Sequence, residues 1–197
     1  RVTLVPNGAD TKSFSTTKQD EKEKLKRQLG HEGKKLAVYI GGNHIPAKTA
    51  VKMTMEIAHR CPDTQFLVIG AAGKGFTDTT NVKILGHIPE ELKKKHLAAA
   101  DIALNPTTIG PGSNVKLFEY LAAGLPVIST RYGLRGSTFK PNKDVLTADS
   151  PAAFAKTINK LLSNNALLTK LVNSGRTAIK KYDWKELAKI IDKDVKQ

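Results

Sequence analysis

The 197-residue sequence contains a single cysteine, Cys61, and no CxxC pattern. One cysteine excludes an internal disulfide framework and fits a reducing compartment, so we expect a cytoplasmic location. The five histidines are scattered, and no two of them stand at the spacing of metal ligands. The sequence therefore predicts no metal site.

Long hydrophobic runs are also missing. No apolar stretch approaches the roughly 20 residues of a membrane-spanning helix, and no secretory signal is recognisable. The sequence begins Arg-Val-Thr-Leu-Val, without an initiator methionine, so we expect a piece of a longer protein. A hydrophobic content of 40% over this length fits one α/β domain, or one domain with a small appendage.

Acidic residues are scarce, because 18 Asp and Glu stand against 32 Lys and Arg, for a formal net charge of +14. Such a field attracts polyanions, so a polyanion-binding module is one alternative function. Aromatic residues make up only 6% and are not interleaved with the basic ones, so no specific nucleic acid partner is predicted. The spread of the lysines favours solvated helix faces. The run Lys93-Lys94-Lys95 leaves peripheral contact with an anionic membrane open.

What the sequence does have is a regular alternation of apolar runs and helical spacing. After a short strand near the start, strands are predicted at 36–42, 65–70, 82–85, 101–106, 125–130 and 144–148. A charged helix is predicted within 18–33, ending at Gly30, and further helices at 46–60, 89–99, around Glu119, and at 150–163, 165–181 and 183–195. This order predicts an α/β fold, a Rossmann-like parallel six-stranded sheet with helices on both faces.

Glycines and prolines mark the loops after several strands, where ligands bind in such sheets. The segment from Gly110 to Asn114 leads into a helix, whose free N-terminal N–H groups favour an anion. Gly112 allows close approach of the backbone to a phosphate, and Ser113 or Asn114 can cap the helix. An ordinary turn between strand and helix is an equally good interpretation of these residues.

Glu119 is a carboxylate in an otherwise apolar helical segment, LFEYLAA. A half-buried carboxylate needs hydrogen-bond partners. One candidate is Lys116, three residues earlier on the same helix face, in a structural ion pair. The other is a ribose diol, which an acid binds in dinucleotide folds. The residues themselves leave both alternatives open.

The stretch GPGSNVKLFEYLAAGLPV, residues 110–127, resembles the signature of the nucleotide-sugar-binding domain of GT-B glycosyltransferases, group 1 (family 4 type). Further segments resemble that family in the same order, namely VTLVPNGAD, LAVYIGG, QFLVIG, NVKILGHIPEEL, AAADIALNP and YDW. The similarity covers nearly the whole chain, and the ordered set is specific.

The resemblance implies roles for individual residues. Glu119 is expected to hold the ribose hydroxyls of a nucleoside diphosphate sugar, and Lys116 to add positive charge beside the diphosphate. Ile88 and the loop before it are expected to border the base. The backbone expected around the phosphates belongs to Gly41, Gly42, Gly112, Ser113, Asn114 and Val115. Catalytic residues are not assigned.

Two departures distinguish the sequence from the family's common form. Pro111 stands eight residues before Glu119, where the common form has another glutamate, associated with the donor sugar. Gly42 and Asn43 follow the first strand, where the common form has an arginine that holds the diphosphate. Lys48 lies one residue beyond the expected lysine and is retained as a candidate phosphate ligand.

The resemblance further implies a retaining hexosyltransferase that is metal-independent, has no cofactor and uses a UDP or GDP sugar. Residues 1–14 are expected to be an interdomain connector and 15–181 the donor-binding domain. Residues 182–197 are expected to form a C-terminal helix that can cross to an N-terminal domain. That domain would bind the acceptor, a glycan, lipid or small molecule. A GT-B-fold sugar-nucleotide epimerase is a further alternative.

Overall fold

The computed structural model describes residues 5–14 and 17–195. Its strands are β1 (Lys35–Ile40), β2 (Thr64–Ile69), β3 (Val82–Gly86), β4 (Ile102–Asn105), β5 (Val127–Ser129) and β6 (Leu146–Thr147). Its α-helices are α1 (Gln19–Gln28), α2 (Ile45–His59), α3 (Glu90–Ala99), α4 (Val115–Ala122), α5 (Pro151–Leu162), α6 (Asn165–Ile179) and α7 (Trp184–Val195). The predicted α/β fold is confirmed, with the six strands predicted from residue 36 onward.

The six strands are parallel and lie in the order β3-β2-β1-β4-β5-β6. The chain thus builds one half of the sheet outward from β1 and the other outward from β4, as in a Rossmann fold. The connections that follow β1 and β4 lead away from each other. A crevice therefore forms above the carboxyl ends of these two strands, where such sheets bind ligands.

Both faces of the sheet are covered by helices. Along β1, Leu36 and Val38 join one core with residues of α3 and α4, whereas Ala37 and Tyr39 join a second core with residues of α2 and α5. This double burial explains why the strands are continuous apolar runs rather than alternating ones.

A buried ion pair fastens α1 to the amino ends of two strands. Lys26 is 2% exposed, and its Nζ donates to both carboxylate oxygens of Asp101, at 3.1 and 2.9 Å. Asp101 Oδ2 also accepts from the backbone N–H of Leu36, at 2.7 Å. Lys26 is thus an exception to the solvated lysines that the charge pattern favours.

The first helix ends close to the glycine at which the sequence predicted its end. Helix α1 ends at Gln28, and Gly30 adopts a φ of 74°, a left-handed conformation that ends helices. Residues 1–4, on which the short first strand was predicted, lie outside the described residues. Within residues 5–14, Ala9 forms an isolated β-bridge with Asp183.

The predicted boundary at residue 182 falls inside the packed core. Tyr182 is 3% exposed, and its ring lies 4.9 Å from that of Phe118 and 5.1 Å from that of Phe139, between ring centroids. Contact of the helix after it with another domain stays a prediction. Within residues 5–14 and 17–195, no helix combines the length and apolar character needed to cross a bilayer.

Candidate functional site

A cavity of about 390 Å³ lies above the carboxyl ends of β1 and β4. It is lined by His44, Pro46, Ala47, Thr107, Ile109, Gly110, Pro111, Ser113, Asn114, Val115, Lys116 and Arg135. These residues come from the start of α2, the loop after β4, the start of α4 and the loop after β5. None of the lining residues that the structure describes is acidic, whereas Lys116 and Arg135 are cationic. The cavity is therefore suited to an anion.

The loop between β4 and α4 is held in place from two sides. Gly110 has a φ of 110°, and a Cβ on it would lie 2.6 Å from Pro46 Cγ, so glycine is required for the loop to pass α2. The Tyr132 hydroxyl donates to the Gly110 carbonyl at 2.8 Å. Arg135 Nη2 donates to the carbonyls of Gly110 and Gly112, at 2.6 and 2.9 Å. The loop after β5 thus fixes the wall of the cavity.

Helix α4 begins without the side-chain cap that the sequence predicted. Asn114 occupies the capping position, but its Nδ2 donates to the Gly133 carbonyl at 2.9 Å instead. The Ser113 hydroxyl accepts from Asn7 Nδ2. The Asn114 side chain therefore caps none of the first N–H groups of α4, and of these groups the Asn114 backbone carbonyl accepts only from that of Leu117, at 3.0 Å. Val115 and Lys116 line the cavity, where an anion can accept from their N–H groups.

Lys116 lies on the first turn of α4 with its Nζ 4.9 Å from the centroid of the Tyr39 ring. Burial lowers the pKa of Lys116 to about 8. A lysine with this pKa is mostly protonated at neutral pH, and it contributes its charge from a largely desolvated position. The structure therefore brings the predicted phosphate-binding lysine to the cavity.

Glu119 pairs with Lys93 of α3 and not with Lys116, which was one of the two partners that the sequence left open. The Lys93 Nζ lies 2.5 Å from Glu119 Oε1 and 2.9 Å from Glu90 Oε2, and both side chains of the Glu119 pair are about one-fifth exposed, at 19% and 21%. Burial lowers the pKa of Lys93, but the bonds to Glu119 and Glu90 outweigh it, and the net shift is upward. Lys93 is therefore not the solvated lysine that its run of three favoured.

Like Gly112 and Glu119, four other predicted residues do not line this cavity, namely Gly41, Gly42, Lys48 and Ile88. Gly41 is buried, and a Cβ on it would lie 2.7 Å from the Tyr39 hydroxyl, so packing already requires glycine there. Gly42 is exposed, Lys48 is half-buried on α2, and Ile88 packs against the core on the α3 side. The ligand contacts expected of these four residues stay predictions.

A buried polar network under the cavity was not predicted from the sequence. Asn105 Nδ2, at the end of β4, donates to the Ser129 hydroxyl at 3.0 Å and to the Gly133 carbonyl at 3.1 Å. The Thr107 hydroxyl donates to Asn105 Oδ1 at 2.8 Å, and the Thr130 hydroxyl donates to the Thr107 carbonyl. Polar residues that end otherwise apolar strands are the pattern by which this network could be found.

Arg135 is the functional candidate that sequence reasoning missed. It lies in the glycine-marked loop after β5, in the segment RYGLRG. A basic residue in a loop at the carboxyl end of a strand is the pattern that could have indicated it. The structure places it in the lining of the cavity, beside the loop between β4 and α4.

Residues 49–192 match the model of the family described as glycosyl transferase-like, Glyco_trans_1_2. Phosphatidyl-myo-inositol mannosyltransferase of Mycobacterium tuberculosis (strain ATCC 25618 / H37Rv) is 24% identical over 199 residues, 93% of this chain and 51% of that protein. Sucrose-phosphate synthase from Thermosynechococcus elongatus has a TM-score of 0.79 at 20% identity, covering 99% of this chain and 52% of that chain. Anabaena HepE in complex with UDP has a TM-score of 0.79 at 16% identity, covering 96% and 56%.

The chain thus spans about half the length of the relatives that it matches. The family model extends over more than half of the chain, from within α2 to α7. The TM-scores of 0.79 show that the chain shares the fold of these two structures. The chain therefore belongs to the glycosyl transferase-like family and has a GT-B fold.

Proposed function

We propose that this chain is the donor-binding half of a glycosyltransferase and that it binds a nucleoside diphosphate sugar with the diphosphate in the cavity above β1 and β4. The observation that carries the proposal is the composition of that cavity. It combines the uncapped start of α4 with two cations, Lys116 and Arg135, and no acidic residue among the described lining. The complex of HepE with UDP supports a nucleotide sugar as the substrate class.

The same groups suit the chemistry of glycosyl transfer. When the bond from the sugar to the diphosphate breaks, negative charge develops on the departing diphosphate oxygen. Fixed N–H donors and cations beside that oxygen stabilise the charge without having to reorganise. In this proposal the start of α4 and Lys116 perform that role, without a metal ion. Transfer with retention of anomeric configuration is part of the proposal and rests on the family resemblance.

The nucleoside is proposed to lie toward α3. Glu119 stands one helical turn beyond Lys116 on α4, and its partner Lys93 lies in the first turn of α3, shortly after Ile88. The carboxylate is therefore close to the loop that is expected to border the base. With Oε1 engaged by Lys93, Glu119 keeps accepting capacity for the ribose hydroxyls. The acceptor, a glycan, lipid or small molecule, is proposed to bind a second domain.

Calorimetric titration of this chain with UDP, GDP and ADP tests the proposed function. We expect one of the three to bind saturably with 1:1 stoichiometry, and its nucleoside to bind more weakly because the diphosphate contacts are missing. A titration with DNA at rising salt serves as the comparison, since non-specific polyanion binding has a steep salt slope. Absence of binding by all three diphosphates at millimolar concentration, together with salt-sensitive DNA binding, would favour the polyanion-binding alternative.

The affinity for the preferred diphosphate is expected to fall as the pH rises above about 8, the pKa to which burial lowers Lys116. The anion binds the protonated lysine, and above that pKa the free protein loses this charge while the diphosphate stays fully ionised. If protonated Lys116 is required, the dissociation constant rises by up to about tenfold per pH unit. Titrations at pH 7, 8 and 9 measure it.

Two variants test whether Lys116 is the group that causes this pH dependence. Lys116→Met is expected to bind more weakly at pH 7 and to show little further change up to pH 9. Lys52→Met removes an exposed lysine of α2 and is expected to keep the wild-type profile. A profile in Lys116→Met as steep as that of the wild type would show that another group titrates.

A further inference from the structure

We infer that Arg135 is a second diphosphate-binding residue, whose guanidinium reaches the donor site from the loop after β5. The inference rests on the proposed function and adds a residue to its diphosphate subsite. The start of α2 contributes His44, Pro46 and Ala47 to the cavity, and none of these carries a fixed positive charge. In the cavity lining that the structure describes, Arg135 therefore supplies a permanent positive charge, and Lys116 supplies one that depends on pH.

The hydrogen bonds of Arg135 leave part of its guanidinium unmatched. A guanidinium carries five N–H donors, and Nη2 directs its donors to the carbonyls of Gly110 and Gly112. Nη1 is buried and has no hydrogen-bond partner among the residues that the structure describes. A buried donor without an acceptor is unfavourable. Arg135 lines the cavity but Nη1 itself is covered, so a phosphate oxygen beside Arg135 supplies the acceptor when the atoms over Nη1 move aside.

The position of the guanidinium is fixed before any ligand arrives. Its Cζ lies 3.7 Å from the centroid of the Tyr132 ring, and Tyr132 also donates to the Gly110 carbonyl. Stacking on Tyr132 restricts the orientation of the guanidinium, and the two hydrogen bonds to carbonyl groups fix its position beside the loop. A planar guanidinium fixed in this way suits the paired oxygens of a diphosphate better than a lysine does.

Arg135 could instead serve only to hold the loop, and ligand comparison separates the two roles. Loss of a loop clamp weakens every ligand of the site, whereas loss of a phosphate ligand weakens the diphosphate selectively. In Arg135→Gln we expect the affinity for the preferred nucleoside diphosphate to fall by about 10- to 100-fold. The affinity for the corresponding nucleoside is expected to change by less than about threefold.

Two neighbouring positions provide matched controls. Arg131→Gln removes the same charge from the same loop, but Arg131 is 79% exposed and lies 3.7 Å from Asp149, outside the cavity lining. We expect it to bind the diphosphate like the wild type. Tyr132→Phe removes one hydrogen bond to Gly110 without a change of charge. It is expected to affect diphosphate and nucleoside equally.

The measurements are calorimetric dissociation constants, after circular dichroism has shown that each variant is folded. If Arg135→Gln does not fold, Arg135→Lys is compared instead. Lysine keeps the positive charge but lacks the planar guanidinium, so we expect a larger loss of affinity for the diphosphate than for the nucleoside. Equal losses for both ligands, or the same diphosphate loss in Arg131→Gln, would overturn the role of Arg135. A wild-type chain that binds no diphosphate would refute the proposed function itself, before any variant is compared.

Discussion

Replacement of Asp101 by asparagine is expected to lower the free energy of unfolding by about 3–5 kcal/mol. In this variant the ammonium group of Lys26 stays buried, at 2% exposure, beside the amino end of β4. It no longer has the Asp101 carboxylate as its partner. The remaining acidic neighbour is Glu23, whose side chain is 45% exposed and lies 3.3 Å away. Urea unfolding followed by circular dichroism measures the change, as a shift of the midpoint at constant slope.

An exposed pair that involves the same helix is the matched control for this effect. Arg27 and Glu32 lie 2.8 Å apart with side chains 70% and 65% exposed. Because water screens such a pair, Glu32→Gln is expected to cost less than about 1 kcal/mol. An Asp101→Asn variant that loses no more than Glu32→Gln would show that the buried pair contributes little. The double variant Lys26→Met/Asp101→Leu removes both charges and is expected to recover only part of the loss, because the Leu36 N–H and Lys22 also lose Asp101 as a partner.

The fold was predictable because its determinants are local. Most strands are short apolar runs with a glycine or proline at one or both ends, and the helices after α1 have apolar residues at helical spacing, so most element types follow from periodicity. The parallel arrangement follows from the alternation of strands and helices. Even β6, only two residues long in the structure, lies within its predicted range of 144–148. The end of α1 at Gln28 shows how the conformation of one residue, Gly30, determines where a helix stops.

The site was predicted in part, because only some of its determinants are local. The glycine-marked loop and the start of α4 follow from neighbouring residues, and both line the cavity. Partners across elements are set by topology instead. Spacing offered Lys116 as one possible partner of Glu119, but the packing of α3 brings Lys93 to the carboxylate instead. Arg135 likewise depends on how the loop after β5 folds back over the loop after β4, which no spacing in the sequence encodes.

Replacement of Glu119 by glutamine is expected to weaken nucleoside diphosphate binding by about 1–3 kcal/mol, roughly five- to 150-fold. Glutamine keeps the size of the side chain and one carbonyl oxygen but removes the charge that strengthens bonds from the ribose hydroxyls. Calorimetry with the preferred diphosphate and with its 2′,3′-dideoxyribose analogue measures the effect. The loss should largely vanish for the analogue, because the hydroxyls that Glu119 is proposed to bind are missing.

The pair with Lys93 requires a control, since Glu119→Gln also removes a partner of that lysine. Glu90→Gln removes its other partner, 2.9 Å away, and the Glu90 side chain is 60% exposed on α3. If the carboxylate of Glu119 binds ribose, Glu90→Gln leaves nucleotide affinity near that of the wild type. If the charge balance of Lys93 is what matters, Glu90→Gln weakens binding as well, and Glu119→Gln loses the same free energy with the ribose and dideoxyribose ligands. That second pattern would assign Glu119 to a structural pair that joins α4 to α3, and ribose recognition would have to come from another residue.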